Sequence, residues 1–155
     1  MLEYARTVQH VSDNTVRSVD VLLIEDNRGD IRMTQEGLRR SIAGCKLTSI
    51  EDPDHALAQL RGDKMPTLKP RVIFLDLNLP KMSGLEIIAT IRKTPGLEYV
   101  PIVILSAAEN PEEVRRAYIR GANCFIRKPA NLDEFMHRVS RCCEFWCDIV
   151  VLPPC

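Results

Sequence analysis

Polar side chains that could bind phosphate follow four apolar runs of this chain. Glu25 and Asp26 follow the first run, Asp76 the second, Ser106 the third and Lys128 the fourth. Four or five consecutive apolar residues that end at a polar one are typical of buried parallel strands. Because the carboxyl ends of parallel strands meet at one edge of a sheet, we expect these five side chains to lie close together.

Three carboxylates at one sheet edge predict a metal ion. Glu25, Asp26 and Asp76 would repel one another unless a cation lay between them. An all-oxygen pocket of this kind suits Mg²⁺. Asp76 could then act as a nucleophile toward a phosphoryl group, with Lys128 and Ser106 stabilising the charge on the phosphoryl oxygens. Each segment alone has an ordinary explanation as a loop, cap or turn, and only their joint occurrence in this order favours a site.

Strand-like and helix-like patterns alternate along the chain and would hold these residues in place. Strands are predicted at 20–25, 46–50, 71–76, 101–106 and 123–127, and helices at 29–42, 53–62, 84–93, 111–120 and 131–146. Five repeats of strand and helix predict an α/β fold with a doubly wound, five-stranded parallel sheet. Asn110 and Asn131 each precede acidic residues and predict N-terminal helix caps.

Length and composition limit the classes of protein to which this chain can belong. The 155 residues suit one domain, and 21 basic residues balance 21 acidic ones, so no electrostatic footprint for nucleic acid is expected. No apolar run reaches the length of a membrane span, and the N-terminus lacks a signal-peptide core, which predicts a cytoplasmic protein with no membrane contact. The six cysteines are expected to act as small apolar residues, and no zinc site is predicted because Cys143 and Cys147 have no matching pair elsewhere.

Four motifs resemble those of the receiver domains of two-component response regulators. They lie at residues 23–27, 73–84, 104–107 and 121–129, and the resemblance spans about residues 19–145. It implies a flavodoxin-like fold with Asp76 as the phosphoacceptor. It further implies that Asp26 binds Mg²⁺ directly, Glu25 through water and Asn78 through its backbone carbonyl, and that Asp76 belongs to the same metal site.

The same resemblance assigns roles on the far side of the pocket. Lys128 would hold the phosphoryl oxygens, the bond to Pro129 would be cis, and Ser106 and Phe125 would form a switch pair. Many receivers have Tyr where this chain has Phe125, so a switch step that needs a phenolic hydrogen bond is absent. The alternative role for Phe125 is an ordinary core ring.

The end of the chain carries a second resemblance. The segment 145–154 is similar to the tail of the single-domain regulators that partner cyanobacterial and bacterial phytochromes. That likeness implies a red-light sensor histidine kinase as phosphodonor, and a homodimer built through the last strand, the last helix and the tail. The apolar residues expected at the dimer contact are Trp146, Ile149, Val151 and Leu152. Alternatively, the tail covers its own domain.

These expectations divide the chain into a leader at 1–18, a receiver domain at 19–145 and a dimerisation tail at 146–155. Ten residues beyond 145 are too few for a DNA-binding helix-turn-helix, so output by protein contact is expected. A phosphoacceptor that catalyses only its own phosphorylation and dephosphorylation is the favoured function. The alternatives are an intermediate phosphorelay carrier or a slow phosphatase with an aspartyl nucleophile, in which Asn78 would replace the acid-base aspartate. A scaffold that never accepts phosphate is disfavoured because every pocket residue is present.

Overall fold

Five strands and five α-helices alternate in the structure, a computed structural model that describes residues 17–62 and 67–154. The elements are β1 (Arg17–Ile24), α1 (Arg28–Arg40), β2 (Leu47–Ile50), α2 (Pro53–Arg61), β3 (Leu68–Leu75), α3 (Gly84–Arg92), β4 (Ile102–Ser106), α4 (Pro111–Arg120), β5 (Cys124–Arg127) and α5 (Leu132–Glu144). All ten agree with the sequence prediction to within a few residues. The leader predicted at 1–18 lies outside the described residues except for its last two, which already belong to β1.

The strands form one parallel sheet in the order β2-β1-β3-β4-β5, which confirms the predicted fold class. Side chains of β3 alternate between its two faces, as the period of a strand requires. Ile73 and Leu75 pack with α2, α3 and α4. Val72 and Phe74 pack with α1 and α5. Both faces of the sheet are therefore covered, and this explains why the strands read as unbroken apolar runs.

Short polar side chains begin the helices where the sequence predicted them. Asn110 accepts the backbone N–H of Glu112 at 2.9 Å, and Asn131 accepts that of Glu134 at 2.9 Å. Both predicted caps are confirmed. Asn27 caps α1 in the same way, through the N–H of Asp30 at 3.0 Å. The cap fixes the start of α1 directly after the first acidic pair, and so it helps to position that pair.

Arg92, the last residue of α3, ties that helix to two loops. Its guanidinium donates to the carbonyl oxygen of Gly121 at 2.8 and 3.0 Å, to that of Val100 at 2.8 Å and to the side-chain oxygen of Asn123 at 2.7 Å. Asn123 also accepts the N–H of Ile102 at 2.9 Å. Arg92 therefore holds the entries to β4 and β5.

We expect Arg92→Ala to lower the free energy of unfolding by about 3 kcal/mol, because several half-buried carbonyl oxygens lose a charged donor. For a chain of this size that corresponds to a fall in the thermal midpoint of roughly 6 to 12 °C. The matched control is Lys93→Ala, which removes an exposed cation from the next position. Thermal denaturation followed by circular dichroism measures both. Equal midpoints for the two variants would contradict the role given to Arg92.

The segment after α5 turns back across the domain. A single π-helical turn (Phe145–Ile149) follows the helix, and the N–H of Val150 donates to the carbonyl oxygen of Phe145 at 2.9 Å. Trp146 is half-buried against the core beneath α5. Leu152 lines a cleft at the amino ends of the strands, opposite the edge where the acidic residues lie. Ile149 and Val151 stay 68% and 95% exposed.

Two of the four predicted contact residues of the tail thus touch their own domain, and two face solvent.

Within the described ranges, no helix combines the length and the apolarity that a membrane crossing needs.

Candidate functional site

The carboxylates of Glu25, Asp26 and Asp76 converge at the carboxyl edge of the sheet, as predicted. Backbone pairing continues one residue past the strands there, because the N–H of Glu25 donates to the carbonyl oxygen of Ile50 at 3.3 Å and that of Asp76 to Ile24 at 3.1 Å. One oxygen from each of the three carboxylates lies within 4.8 Å of the other two. The regular sheet therefore fixes the spacing of the acidic cluster.

Lys128 reaches the same cluster from the loop after β5. Its ammonium lies 2.7 Å from a carboxylate oxygen of Glu25, 2.7 Å from one of Asp30 and 3.8 Å from Oδ1 of Asp76. The backbone N–H of Lys128 donates to the carbonyl oxygen of Ser106 at 2.9 Å and anchors the loop. The predicted cation is therefore in the pocket, where its strongest contacts are with carboxylates.

Asp30 is a site residue that the sequence reasoning missed. It lies in the first turn of α1, lines the pocket and shares Lys128 with Glu25. The helix begins directly after Asp26 and the cap Asn27, and this places its first turn, with Asp30, beside the sheet edge. An acid in the first turn has an ordinary role beside the helix dipole, however, and that role concealed the second one.

Burial and hydrogen bonds together set the pKa values of Glu25 and Lys128. Burial raises the pKa of Glu25 to about 7, and the charge of Asp76 adds to the effect, although Lys128 and the N–H of Asn27 oppose it. Burial alone would lower the pKa of Lys128, but its hydrogen bonds to Asp30 and Glu25 outweigh that effect and raise it. Lys128 is therefore a cation at neutral pH, and a second cation beside Glu25 would favour the ionised carboxylate.

Asp76 is 6% exposed, yet one of its oxygens is available. Oδ1 accepts the N–H of Asn78 at 3.2 Å and faces Lys128. No hydrogen bond within the described residues uses Oδ2, and none of their buried side-chain oxygens lacks a partner. Oδ2 therefore reaches solvent, and it can approach a ligand in the pocket.

An open pocket of about 460 Å³ lies above these groups. It is lined by Asp26, Asn27, Asp30, Asp76, Asn78, Ala107 and Lys128. Asp26 is exposed there, and its carboxylate accepts no hydrogen bond within the described ranges. The possible metal ligands are carboxylate oxygens, and the pocket has room for water. Such ligands fit a hard divalent cation.

Ser106 is the last residue of β4, and Phe125 lies in the neighbouring strand β5. The hydroxyl of Ser106 is fully buried and accepts the N–H of Ala108 at 3.2 Å. Phe125 is half-buried against the core, and its N–H donates to the hydroxyl of Tyr118 at 3.1 Å. The structure places both residues near the edge of the sheet, whereas their switch role stays a prediction.

The prediction of a cis peptide bond before Pro129 is wrong. No cis peptide occurs within the described ranges, so the bond is trans. The trans isomer of a bond to proline is intrinsically favoured by about 0.5 to 1 kcal/mol. With this isomer, Lys128 already reaches Glu25 and Asp30.

Gly84 permits the loop after Asp76 to fold closely onto the start of α3. A Cβ atom at Gly84 would lie 2.6 Å from the Cα of Leu77 and 2.8 Å from the carbonyl oxygen of Asp76. The N–H of Gly84 donates to the carbonyl oxygen of Leu77 at 3.1 Å. A larger residue would push the backbone that carries Asp76, so glycine is required by the geometry of the site.

We expect Asp26→Ala to weaken Mg²⁺ binding at least tenfold, and Glu25→Ala to weaken it less. Asp26 can bind a cation without giving up a partner. Both oxygens of Glu25 are already engaged, one by Lys128 at 2.7 Å and the other by the N–H of Asn27 at 3.0 Å. Isothermal calorimetry measures the affinities, with Glu36→Ala on the third turn of α1 as a control for lost negative charge. Equal losses for the first two variants would overturn this ranking.

Comparison with known proteins decides the family. Residues 21–140 match the model of the response regulator receiver domain. The chain belongs to the response regulator receiver family. A curated relative, the response regulator Rcp1 of Synechocystis sp., is 34% identical over 145 residues, which cover 92% of this chain and 99% of that protein.

Solved structures agree with this assignment. The phosphorylated cyanobacterial phytochrome response regulator RcpA superposes with a TM-score of 0.80 at 36% identity, over 89% of this receiver and 100% of that chain. The Mn²⁺-bound form of Rcp1 superposes with a TM-score of 0.79 at 34% identity, over 88% of this receiver and 99% of that chain. The flavodoxin-like fold and a divalent metal in the acidic pocket are thus properties of the family to which this receiver belongs.

Proposed function

We propose that this receiver accepts a phosphoryl group on Asp76 from the phosphohistidine of a sensor histidine kinase. The observation that carries the proposal is the carboxylate of Asp76, whose Oδ2 reaches solvent, while its Oδ1 lies 3.8 Å from the ammonium of Lys128 and the carboxylate of Asp26 lies close by. In the transfer, Oδ2 forms a bond to phosphorus, the bond from phosphorus to the imidazole nitrogen breaks, and the histidine leaves with the electron pair of that bond.

The residues of the pocket have separate tasks in that step. Asp26, Glu25, Asp76 and the backbone carbonyl of Asn78 would hold Mg²⁺, which supplies charge stabilisation on the phosphoryl oxygens. Lys128, only 3.8 Å from Asp76, would exchange a carboxylate partner for a phosphoryl oxygen.

The proposed conformational signal passes through Ser106 and Phe125. The hydroxyl of Ser106 would leave the N–H of Ala108 for the phosphoryl group, and the half-buried ring of Phe125 would move into the space behind it. Contact with a partner protein would then read the altered surface around β4 and β5.

The proposed phosphodonor is the histidine kinase of a phytochrome. Support comes from RcpA, a phytochrome response regulator that matches this receiver over 100% of its own chain. Phosphotransfer from a purified red-light histidine kinase should label this receiver at least tenfold faster than transfer from a kinase of an unrelated signal. Equal labelling by both kinases would remove the phytochrome assignment and leave Asp76 as a general acceptor. No labelling by any kinase of a broad panel would contradict the proposed function.

Slow phosphatase activity is the second candidate. Asn78 lies directly beside Asp76 and donates its backbone N–H to Oδ1 at 3.2 Å. An amide side chain cannot deliver a proton to a leaving group, so hydrolysis of a phosphorylated substrate should be slow and the receiver should act as a switch, not as an enzyme. An intermediate relay role is distinguished by passage of the phosphoryl group from Asp76 to a histidine phosphotransfer domain.

We also propose a homodimer through the last strand, the last helix and the tail. β5 is the edge strand of the sheet, and an open groove of about 840 Å³ lies over it, lined by Phe125, Ile126, Phe145, Trp146 and residues of α5. Ile149 and Val151 lie exposed close by in the chain. Among the residues that the structure describes, no strand pairs with the outer edge of β5, and such an edge with apolar neighbours favours burial against a second copy, because one patch can pair with itself across a two-fold axis.

The dimer has a direct test. Replacement of both Ile149 and Val151 by Asp should give a monomer at tens of micromolar in light scattering, whereas the unaltered receiver should be a dimer. Ile42→Asp, which also charges an exposed apolar residue (85% exposed), is the control and should leave the dimer intact. A monomeric unaltered receiver, or a dimeric double variant, would show that the tail only covers its own domain.

The proposed location is the cytoplasm. Five cysteines among the described residues are free thiols, which a reducing compartment preserves. A fusion to a fluorescent protein that separates with the periplasmic fraction would contradict this location.

A further inference from the structure

Three thiols from two distant parts of the chain meet beneath the C-terminal end of α5. Cys45 lies between α1 and β2, Cys143 in the last turn of α5 and Cys147 in the π-helical turn. Their sulfur atoms all lie within 4.8 Å of one another, and those of Cys143 and Cys147 are 3.9 Å apart. The sequence spacing shows only the pair in α5, because the fold supplies the third thiol from about a hundred residues away.

We propose that Cys45, Cys143 and Cys147 form a binding site for a thiophilic d10 cation, Zn²⁺ or Cu⁺. Three thiolates that bind one Zn²⁺ at about 2.3 Å lie roughly 3.7 to 4.0 Å from one another, as tetrahedral or trigonal angles require. Cys143 and Cys147 are already at that spacing, and the sulfur of Cys45 lies within 4.8 Å of both. A disulfide would need two sulfur atoms to approach to about 2.05 Å, which is a much larger movement.

The surroundings of the thiols favour a soft ion over a hard one. Within the described residues, no histidine or carboxylate joins the three sulfur atoms as a further ligand. Thiolates without oxygen ligands select Zn²⁺ or Cu⁺ over Mg²⁺ and Ca²⁺. Three protein ligands complete a trigonal site for Cu⁺, and they leave one position of a tetrahedral Zn²⁺ for water.

An ion has a route to the site. Cys143 is fully buried, but Cys45 and Cys147 are partly exposed. An open cleft of about 550 Å³ lies beside Cys45 and Ser41. A bound ion would tie the start of the tail to the loop between α1 and β2, on the opposite face of the sheet from α2, α3 and α4.

The test uses the full-length, reduced receiver with excess Mg²⁺, which occupies the carboxylate pocket. Zn²⁺ is titrated against a chromophoric zinc chelator and Cu⁺ against a Cu⁺-specific one, and Co²⁺ serves as a spectroscopic probe of thiolate binding. We expect one equivalent of Zn²⁺ or Cu⁺ to bind, with a charge-transfer band for Co²⁺. Cys45→Ser and Cys147→Ser should each weaken binding at least tenfold, and both replace partly exposed side chains, so the fold should persist.

Cys124→Ser is the matched control, since Cys124 is a partly exposed thiol outside the cluster. It should bind the ion as the unaltered receiver does. Loss of binding in Cys124→Ser to the same extent would overturn the proposal. So would unchanged binding in Cys45→Ser and Cys147→Ser. A reduced receiver that binds neither ion, but forms a disulfide within the cluster under mild oxidation, would also overturn it and would identify a redox pair.

Discussion

Asp76→Asn should abolish the phosphoadduct that the unaltered receiver forms with acetyl phosphate and Mg²⁺. The amide oxygen of Asn is a poor nucleophile, and Glu25, the other strand-end carboxylate, has both oxygens engaged, one by Lys128 and one by the N–H of Asn27. Intact mass spectrometry should show a gain of one phosphoryl group only in the unaltered receiver. Persistence of that mass in Asp76→Asn would show that another residue is the acceptor.

The control for this result is Asp54→Asn, which removes a carboxylate from the first turn of α2, outside the lining of the pocket. It should be phosphorylated at the unaltered rate. Circular dichroism of Asp76→Asn should match that of the unaltered receiver, because the backbone N–H of Asn78 can still donate to the side-chain oxygen at position 76. The loss would then be one of chemistry and not of folding.

Lys128→Met should have the second largest effect, on both stability and phosphorylation. Glu25 is 1% exposed and would lose its cationic partner, which should cost about 3 kcal/mol of unfolding free energy at pH 8. Removal of a charged donor from a phosphoryl-transfer site should also slow phosphorylation by about 100-fold. Denaturant titration and the rate of phosphoadduct formation measure the two effects.

A double variant separates the two effects of Lys128. Glu25→Gln in the background of Lys128→Met replaces the buried charge by a neutral amide, so most of the stability should return, whereas the phosphorylation rate should stay low. Lys81→Met is the control, because Lys81 and Asp52 form a 2.6 Å pair that is far more exposed. It should change stability much less than Lys128→Met. If the double variant is as unstable as Lys128→Met, the buried pair is not the cause of the loss.

The sequence predicted the sheet and the acidic cluster for one reason. The central strands β1, β3 and β4 are buried on both faces, so the end of each is marked by an abrupt change from apolar to polar residues, and parallel strands end at the same edge. Glu25, Asp26 and Asp76 follow directly from that rule. Residues that meet through backbone pairing are therefore predictable from local pattern.

Contacts between side chains of different loops were not predictable in this way. Lys128 meets Asp30 across 98 positions, and nothing in the helical pattern of α1 distinguishes Asp30 from an acid that only favours the helix dipole. The contact between Cys45 and Cys143 was also not predictable from the sequence, because it depends on the packing of α1 against α5. The bond before Pro129 was mispredicted for a different reason. The cis isomer was expected from the family resemblance, and the local residues do not determine the isomer.

The most direct test of the central claim is chemical mapping of the phosphorylated residue. The receiver is phosphorylated with acetyl phosphate and Mg²⁺, reduced with borohydride to convert the acyl phosphate to an alcohol, digested and sequenced by tandem mass spectrometry. Homoserine at position 76, and at no other carboxylate of the pocket, is the predicted result. Homoserine at Asp26 or Asp30, or its absence from a receiver that carries the phosphoryl mass, would contradict the account.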